Sequence, residues 1–108
     1  YIIAEIGVNH EGSVDQAIKL IELAKEGGAD AAKFQSYKAD TLASKHSPAY
    51  WDKTKEPTKS QHELFKKYDT FTIKDYIQLS DHCNKLKIDF ISTPFDDEAI
   101  DFLENLMP

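Results

Sequence analysis

Glu5, Lys33, Gln35 and Thr93 are the side chains of this 108-residue sequence best suited to chemistry: an acid, a cation, an amide and a hydroxyl. Each sits in the polar tip of a short apolar run, within AEIGVNHEG at residues 4–12, AAKFQSYKA at 31–39 and ISTPFDD at 91–97. A carboxylate placed this way can accept a proton. A lysine point charge and a hydroxyl donor can hold dense negative charge. The set is useful only if the three tips meet. Parallel strands of an α/β barrel bring their carboxyl ends to one shared site, and the three segments read as such strands.

The elements that would position these residues follow from local signals. Tyr1–Ile6 reads as a strand, followed by a turn containing Gly7 and Gly12. Ser13-Val-Asp-Gln16 forms a capping box that satisfies free amides at a helix start. Val14, Ala17, Ile18, Ile21 and Ala24 then recur at helical spacing, and Gly27–Gly28 supplies a left-handed stop. Ala29–Gln35 reads as a second strand, which completes a βαβ unit whose crossover is expected to be right-handed. Residues 36–71 are too long for an ordinary βα loop, and the aromatic residues Tyr37, Tyr50, Trp51, Phe65, Tyr68 and Phe71 give the segment packing capacity. Within it, Thr58-Lys-Ser-Gln61 is a second capping box ahead of a short helix. Thr72-Ile-Lys-Asp75 opens a long helix ending near Leu86, with Tyr76, Leu79, Cys83 and Leu86 on one face. Ile88–Thr93 is the third strand, and Asp96 caps a last helix carrying Ala99, Ile100, Leu103 and Leu106. The expected fold class is α/β, the first three βα units of a (β/α)8 TIM barrel. A complete barrel needs roughly 250 residues. The sequence opens on a strand and stops just after a helical pattern, so a piece of a larger protein is expected.

Alternation within the strands decides which side chains share a face. Ile3 goes with Glu5, Ala31 with Lys33 and Gln35, and Ile91 with Thr93. If those faces point into the barrel, Glu5, Lys33, Gln35 and Thr93 converge at its carboxyl end. The opposite assignment would turn Phe34 and Phe90 inward and put Glu5 and Lys33 beneath a helix layer, where unpartnered charges are expensive. A lone strand-end lysine is more often a solvated ion pair than a ligand. Three consecutive strands ending in polar groups on one inferred face reverse that preference.

Composition narrows the function classes. Thirteen basic and nineteen acidic side chains leave a net charge of −6, without the basic stripe that nucleic-acid binding requires. No run approaches the roughly 18 apolar residues of a membrane span. Cys83 is the single cysteine, so no internal disulfide is possible, and a reducing, cytoplasmic location is expected. His10 and Glu11 are adjacent in a turn, without the i, i+4 spacing that would aim both at one metal. They read as loop residues beside the pocket. Asp96-Asp97-Glu98 reads as favourable charge at a helix N-terminus, and the lysines at 53, 55, 59, 66 and 67 as a solvated face.

AEIGVNHEGS, GADAAKFQSYKADTL, SQHELFKKY and DFISTPFDDEAIDFL, in this order and spacing, resemble the N-terminal part of the sialic acid synthase family over nearly the whole chain. The resemblance implies enzymes that condense phosphoenolpyruvate with an N-acylated amino sugar, on a (β/α)8 barrel followed by an antifreeze-like domain that reaches the partner's site in a homodimer. It implies that Glu5 is the active-site glutamate, which assists proton transfer or positions the attacking water. Lys33 and Thr93 match residues that bind phosphoenolpyruvate, and Gln35 an amide near the reaction centre. A divalent ion, manganese or magnesium, is implied on histidines of later strands, so its ligands are expected outside this chain. Some members place an asparagine against the sugar where Glu56 stands here, which leaves the sugar open; pseudaminic-type enzymes are less similar. Two other classes stay open on the residues alone. One is a barrel aldolase or lyase using Lys33 as a Schiff base, and the other is a non-catalytic carbohydrate-binding barrel.

Overall fold

The structure, a computed structural model, describes residues 1–37 and 71–107. Three parallel strands, β1 (Ile3–Gly7), β2 (Ala31–Ser36) and β3 (Asp89–Pro94), lie side by side in chain order. Helix α1 (Val14–Glu26) links the first two strands, α2 (Ile73–Leu86) precedes β3, and α3 (Asp97–Leu103) follows it. Three βα units in sequential parallel order are the expected start of a (β/α)8 barrel. Tyr50, Trp51, Phe65, Tyr68, Glu56, the expected Thr58–Gln61 box and the lysines at 53, 55, 59, 66 and 67 lie outside the described residues.

Local chemistry accounts for the helix limits. Ser13 Oγ accepts from the Gln16 amide at the start of α1. Thr72 and Asp75 form a reciprocal capping box at the start of α2, and Asp96 accepts from the Ala99 amide at the start of α3. After α1, Gly28 and not Gly27 takes the left-handed conformation, at φ +89°. Helix α2 ends on a left-handed Lys87 at φ +57°, a conformation that few non-glycine residues adopt.

All three helices share one core with one face of the sheet. Phe34 and Phe90 stack with ring centroids 5.7 Å apart, and both are buried with Ala17, Ile21, Leu79 and Leu103. Cys83 is a fully buried core filler, and burial pushes its thiol up to about 12. The α3 pattern needs a correction: Ala99 and Leu103 are buried, but Ile100 is 52% exposed and Leu106 lies beyond the helix end. Ala99 and Leu103 are one i, i+4 ridge, and Ile100 is rotated off it.

The sheet is pinned at both ends by polar contacts. At its start, Asp30 Oδ2 accepts from the Ile2 amide at 2.6 Å. At its carboxyl end, the buried hydroxyls of Ser36 and Ser92 meet at 2.7 Å, joining β2 to β3 inside the helix-covered layer. Removing one partner strands the other's hydroxyl away from water. Ser36→Ala or Ser92→Ala alone should each cost about 1–3 kcal/mol, and the double variant clearly less than their sum. Urea unfolding of the full-length protein measures this cycle, and strictly additive costs would contradict the pairing.

Candidate active site

The candidate active site is the strand face turned away from the helices. Side chains of β1, β2 and β3 that do not pack on the core share it, because parallel partners in register point the same way. Glu5 is in register with Lys33, Lys33 with Ile91, and Gln35 with Thr93. The acid and the cation therefore form one rung, and the amide and the hydroxyl lie one pleat further along.

Glu5 Oε2 and Lys33 Nζ are 3.1 Å apart, with side chains 50% and 35% exposed. An ion pair this wet is worth about 0.2–1 kcal/mol, so it orients the two groups more than it stabilises the fold. Gln35 and Thr93 are half-buried, and the Gln35 backbone carbonyl accepts from the Tyr76 hydroxyl at 3.1 Å. Tyr76 thereby ties the carboxyl end of β2 to α2 from behind. A concave surface lined by Ser36, Tyr37, Phe71, Tyr76, Asp96 and Phe102 also lies on the helix side, and none of the four candidate residues lines it.

The β1–α1 turn brings the chain off the sheet directly after Glu5. Pairing of β1 with β2 is irregular between Glu5 and Gly7, and Gly7 adopts φ +56°. A Cβ on Gly7 would stand 3.4 Å from Glu5 Oε1, besides being strained at that φ. Ile6 O accepts from both the backbone and the side-chain amide of Asn9, which tightens the turn.

His10 departs from the sequence reading. It was expected as a loop residue beside the pocket, and it is instead 2% exposed on the helix side of the sheet. Its ring stacks on Phe71 at 4.1 Å and tilts against Phe34 at 6.2 Å. The apolar ring faces made this placement favourable, and nothing in the local sequence reveals Phe71 as the partner. Nδ1 accepts from the Gly12 amide at 3.0 Å. Desolvation pulls the imidazole down from 6.5 to about 4, only partly offset by a backbone hydrogen bond to Gly7. Among the described residues, no group of three His, Cys, Asp or Glu side chains is placed to hold a metal ion.

Residues 20–108 match the model of the NeuB family. The N,N'-diacetyllegionaminic acid synthase of Legionella pneumophila is 46% identical over 98% of this chain, which spans 30% of that protein. The pseudaminic acid synthase of Campylobacter jejuni is 34% identical over the whole chain, which spans 32% of it. The crystal structure of the sialic acid synthetase of Leptospira borgpetersenii, in complex with citrate, superposes with a TM-score of 0.80 at 30% identity. That match covers 98% of this chain and 33% of the Leptospira chain. The chain thus spans about a third of the length of the relatives it resembles.

The depressed His10 value predicts a pH dependence of stability. The unfolded chain binds the proton near pH 6.5 and the folded one only near 4. Stability is therefore fully present above about pH 6.5 and falls as the pH drops toward 4, by a total on the order of 3 kcal/mol. Urea unfolding between pH 4 and 7.5 should show this slope in the wild type and lose it in His10→Gln. Equal slopes in the two proteins would contradict the assignment.

Proposed function

The chain belongs to the NeuB family, and on that premise we propose that it forms the first three βα units of a synthase barrel condensing phosphoenolpyruvate with an N-acylated amino sugar. The products are a nonulosonic acid and phosphate. The observation that carries the reading is the Glu5–Lys33 pair, held 3.1 Å apart on the face away from the helices. Gln35 and Thr93 sit in register just beyond it. The named activities of the relatives, syntheses of legionaminic, pseudaminic and sialic acids, support the product class.

In this reading Lys33 and Thr93 hold the phosphate of phosphoenolpyruvate, the cation as a point charge and the hydroxyl as a donor. A Schiff-base role would instead require a neutral, desolvated amine, whereas Lys33 lies 3.1 Å from the Glu5 carboxylate. C3 of phosphoenolpyruvate forms its bond to the sugar aldehyde, which leaves positive charge at C2. Water adds at C2, and Glu5 either stabilises that cation or takes the proton of the water. The tetrahedral intermediate then breaks its C2–O bond and expels phosphate. Gln35 orients the reacting groups through its amide. A bound divalent ion would polarise the sugar aldehyde as a Lewis acid. The divalent ion, manganese or magnesium, is assigned to residues outside this chain.

The same reading gives the full-length protein five further βα units, an antifreeze-like C-terminal domain, a homodimeric assembly and a cytoplasmic location. No helix among the described residues is long and apolar enough to cross a membrane. The higher identity to the legionaminic-type synthase than to the pseudaminic-type one puts a legionaminate-type amino sugar first among substrates to be tried.

Phosphate release from phosphoenolpyruvate by the full-length protein with manganese, across a panel of N-acylated amino sugars, tests the proposal. Release should depend on one sugar, and Glu5→Ala and Lys33→Ala should each lower it by about 100-fold or more. A folded, metal-loaded protein that releases no phosphate with any sugar would overturn it.

A further inference from the structure

We propose that Tyr76 is a positioning residue for the candidate site, acting from the helix side by holding the backbone carbonyl of Gln35. The inference rests on the reading of Gln35 as the amide that orients the reacting groups.

The β1–β2 ladder stops short of Gln35. Odd-numbered residues of β2 address β1, as the Ala31 amide does in donating to Ile2 O at 3.2 Å. Even-numbered positions address β3: Asp30 O accepts from the Asp89 amide at 2.9 Å, and Ser36 O from the Phe95 amide at 3.1 Å. Gln35 is odd, so its carbonyl belongs to the β1 side. No residue of β1 is in register with it, because that pairing becomes irregular after Glu5 and ends at Gly7 and Phe34. A strand-end carbonyl under a helix layer needs a donor. The Tyr76 hydroxyl supplies one at 3.1 Å.

That hydroxyl is itself held in place by its surroundings. Tyr76 lies in the first turn of α2, where its amide donates to Thr72 O beside the reciprocal Thr72–Asp75 cap. Its buried ring stacks on Phe102 of α3 with centroids 5.5 Å apart and meets Phe71 edge-on, also at 5.5 Å. A buried tyrosine ordinarily finds some acceptor for its hydroxyl. What sets this contact apart is the acceptor. Gln35 is the last β2 residue on the candidate face, in register with Thr93 and one pleat beyond Lys33. The next residue, Ser36, is tied to β3 through both its carbonyl and its hydroxyl. Tyr76 thus fixes the one carbonyl at this strand end that the β1–β2 pairing does not reach. Rotation of that peptide would swing the Gln35 side chain, on the opposite face, out of line with Lys33 and Thr93.

In the full-length protein, Tyr76→Phe removes the hydroxyl and keeps both ring contacts. Turnover should fall about 10-fold, with the KM for phosphoenolpyruvate within about threefold of wild type, since Lys33 and Thr93 still hold the phosphate. A purely structural role would lower the melting temperature and leave the turnover of folded protein unchanged. A double-mutant cycle with Gln35→Ala tests whether the effect passes through Gln35. Gln35→Ala alone should lower turnover about 10- to 100-fold, and adding Tyr76→Phe should then cost less than about twofold more. Wild-type turnover in Tyr76→Phe beside an impaired Gln35→Ala would overturn the proposal and leave the reading of Gln35 standing. An undiminished loss from Tyr76→Phe with the Gln35 side chain already removed would do the same. Full turnover in Gln35→Ala would remove the reading of Gln35 itself, and the proposal with it. If Tyr76→Phe fails to fold, Phe102→Leu, which keeps the hydroxyl but loosens the ring, takes its place. A turnover-selective loss there that vanishes in the Gln35→Ala background would support the proposal, and wild-type turnover would overturn it.

Discussion

Phe34 decides which way the whole sheet faces. It is fully buried at the centre of the middle strand, against Phe90 on one side and the helices above. Burying an aromatic ring of this size contributes a few kcal/mol, several times what an exposed ion pair can return. Side chains alternate along a strand, so burial of Phe34 sends Lys33 and Gln35 to the other face without any need for their own interactions to favour it. Parallel register then carries the same decision to Glu5 on one side and Thr93 on the other. The candidate site is thus placed by apolar burial on the opposite surface, and its own weak contacts are free to serve chemistry.

That division explains the contrast between the two layers. The helix side is dry and closely tied, with the Ser36–Ser92 hydroxyl pair and the Tyr76 hydroxyl on the Gln35 carbonyl fixing the strand ends. The other side carries the Glu5–Lys33 ion pair, the only one among the described strand residues. The Glu5–Lys33 contact is a single ion pair that a charged ligand could replace. A rigid backbone beneath it keeps both groups in place when that happens, which is the arrangement catalysis by preorganised charge requires.

The strand faces were legible in the sequence because the alternation is strict and the two phenylalanines give it a sign. The helices were legible from their caps, Ser13, Thr72 and Asp96, and from the repeat of small and aliphatic residues. Strand limits moved by one or two residues because pairing, not propensity, ends a strand: Gly7 joins β1 across an irregular register, and Ala29 is left outside β2. Ile100 shows where a periodic pattern overstates burial, since an apolar residue next to a ridge need not lie on it. The positions of His10, Ser36 and Ser92 were not legible. Each depends on a partner far away in the chain, and polar residues carry no sign that says whether a distant aromatic ring or hydroxyl will cover them.

The central claim is that the face bearing Glu5, Lys33, Gln35 and Thr93 receives the phosphorylated substrate. A crystal structure of the full-length protein soaked with phosphoenolpyruvate and manganese tests it most directly. The account predicts the phosphate within about 3 Å of Lys33 Nζ and the Thr93 hydroxyl, with the enol carbons on the side of Glu5. Phosphoenolpyruvate bound elsewhere, with Lys33 still paired to Glu5 and its face empty of ligand, would contradict it.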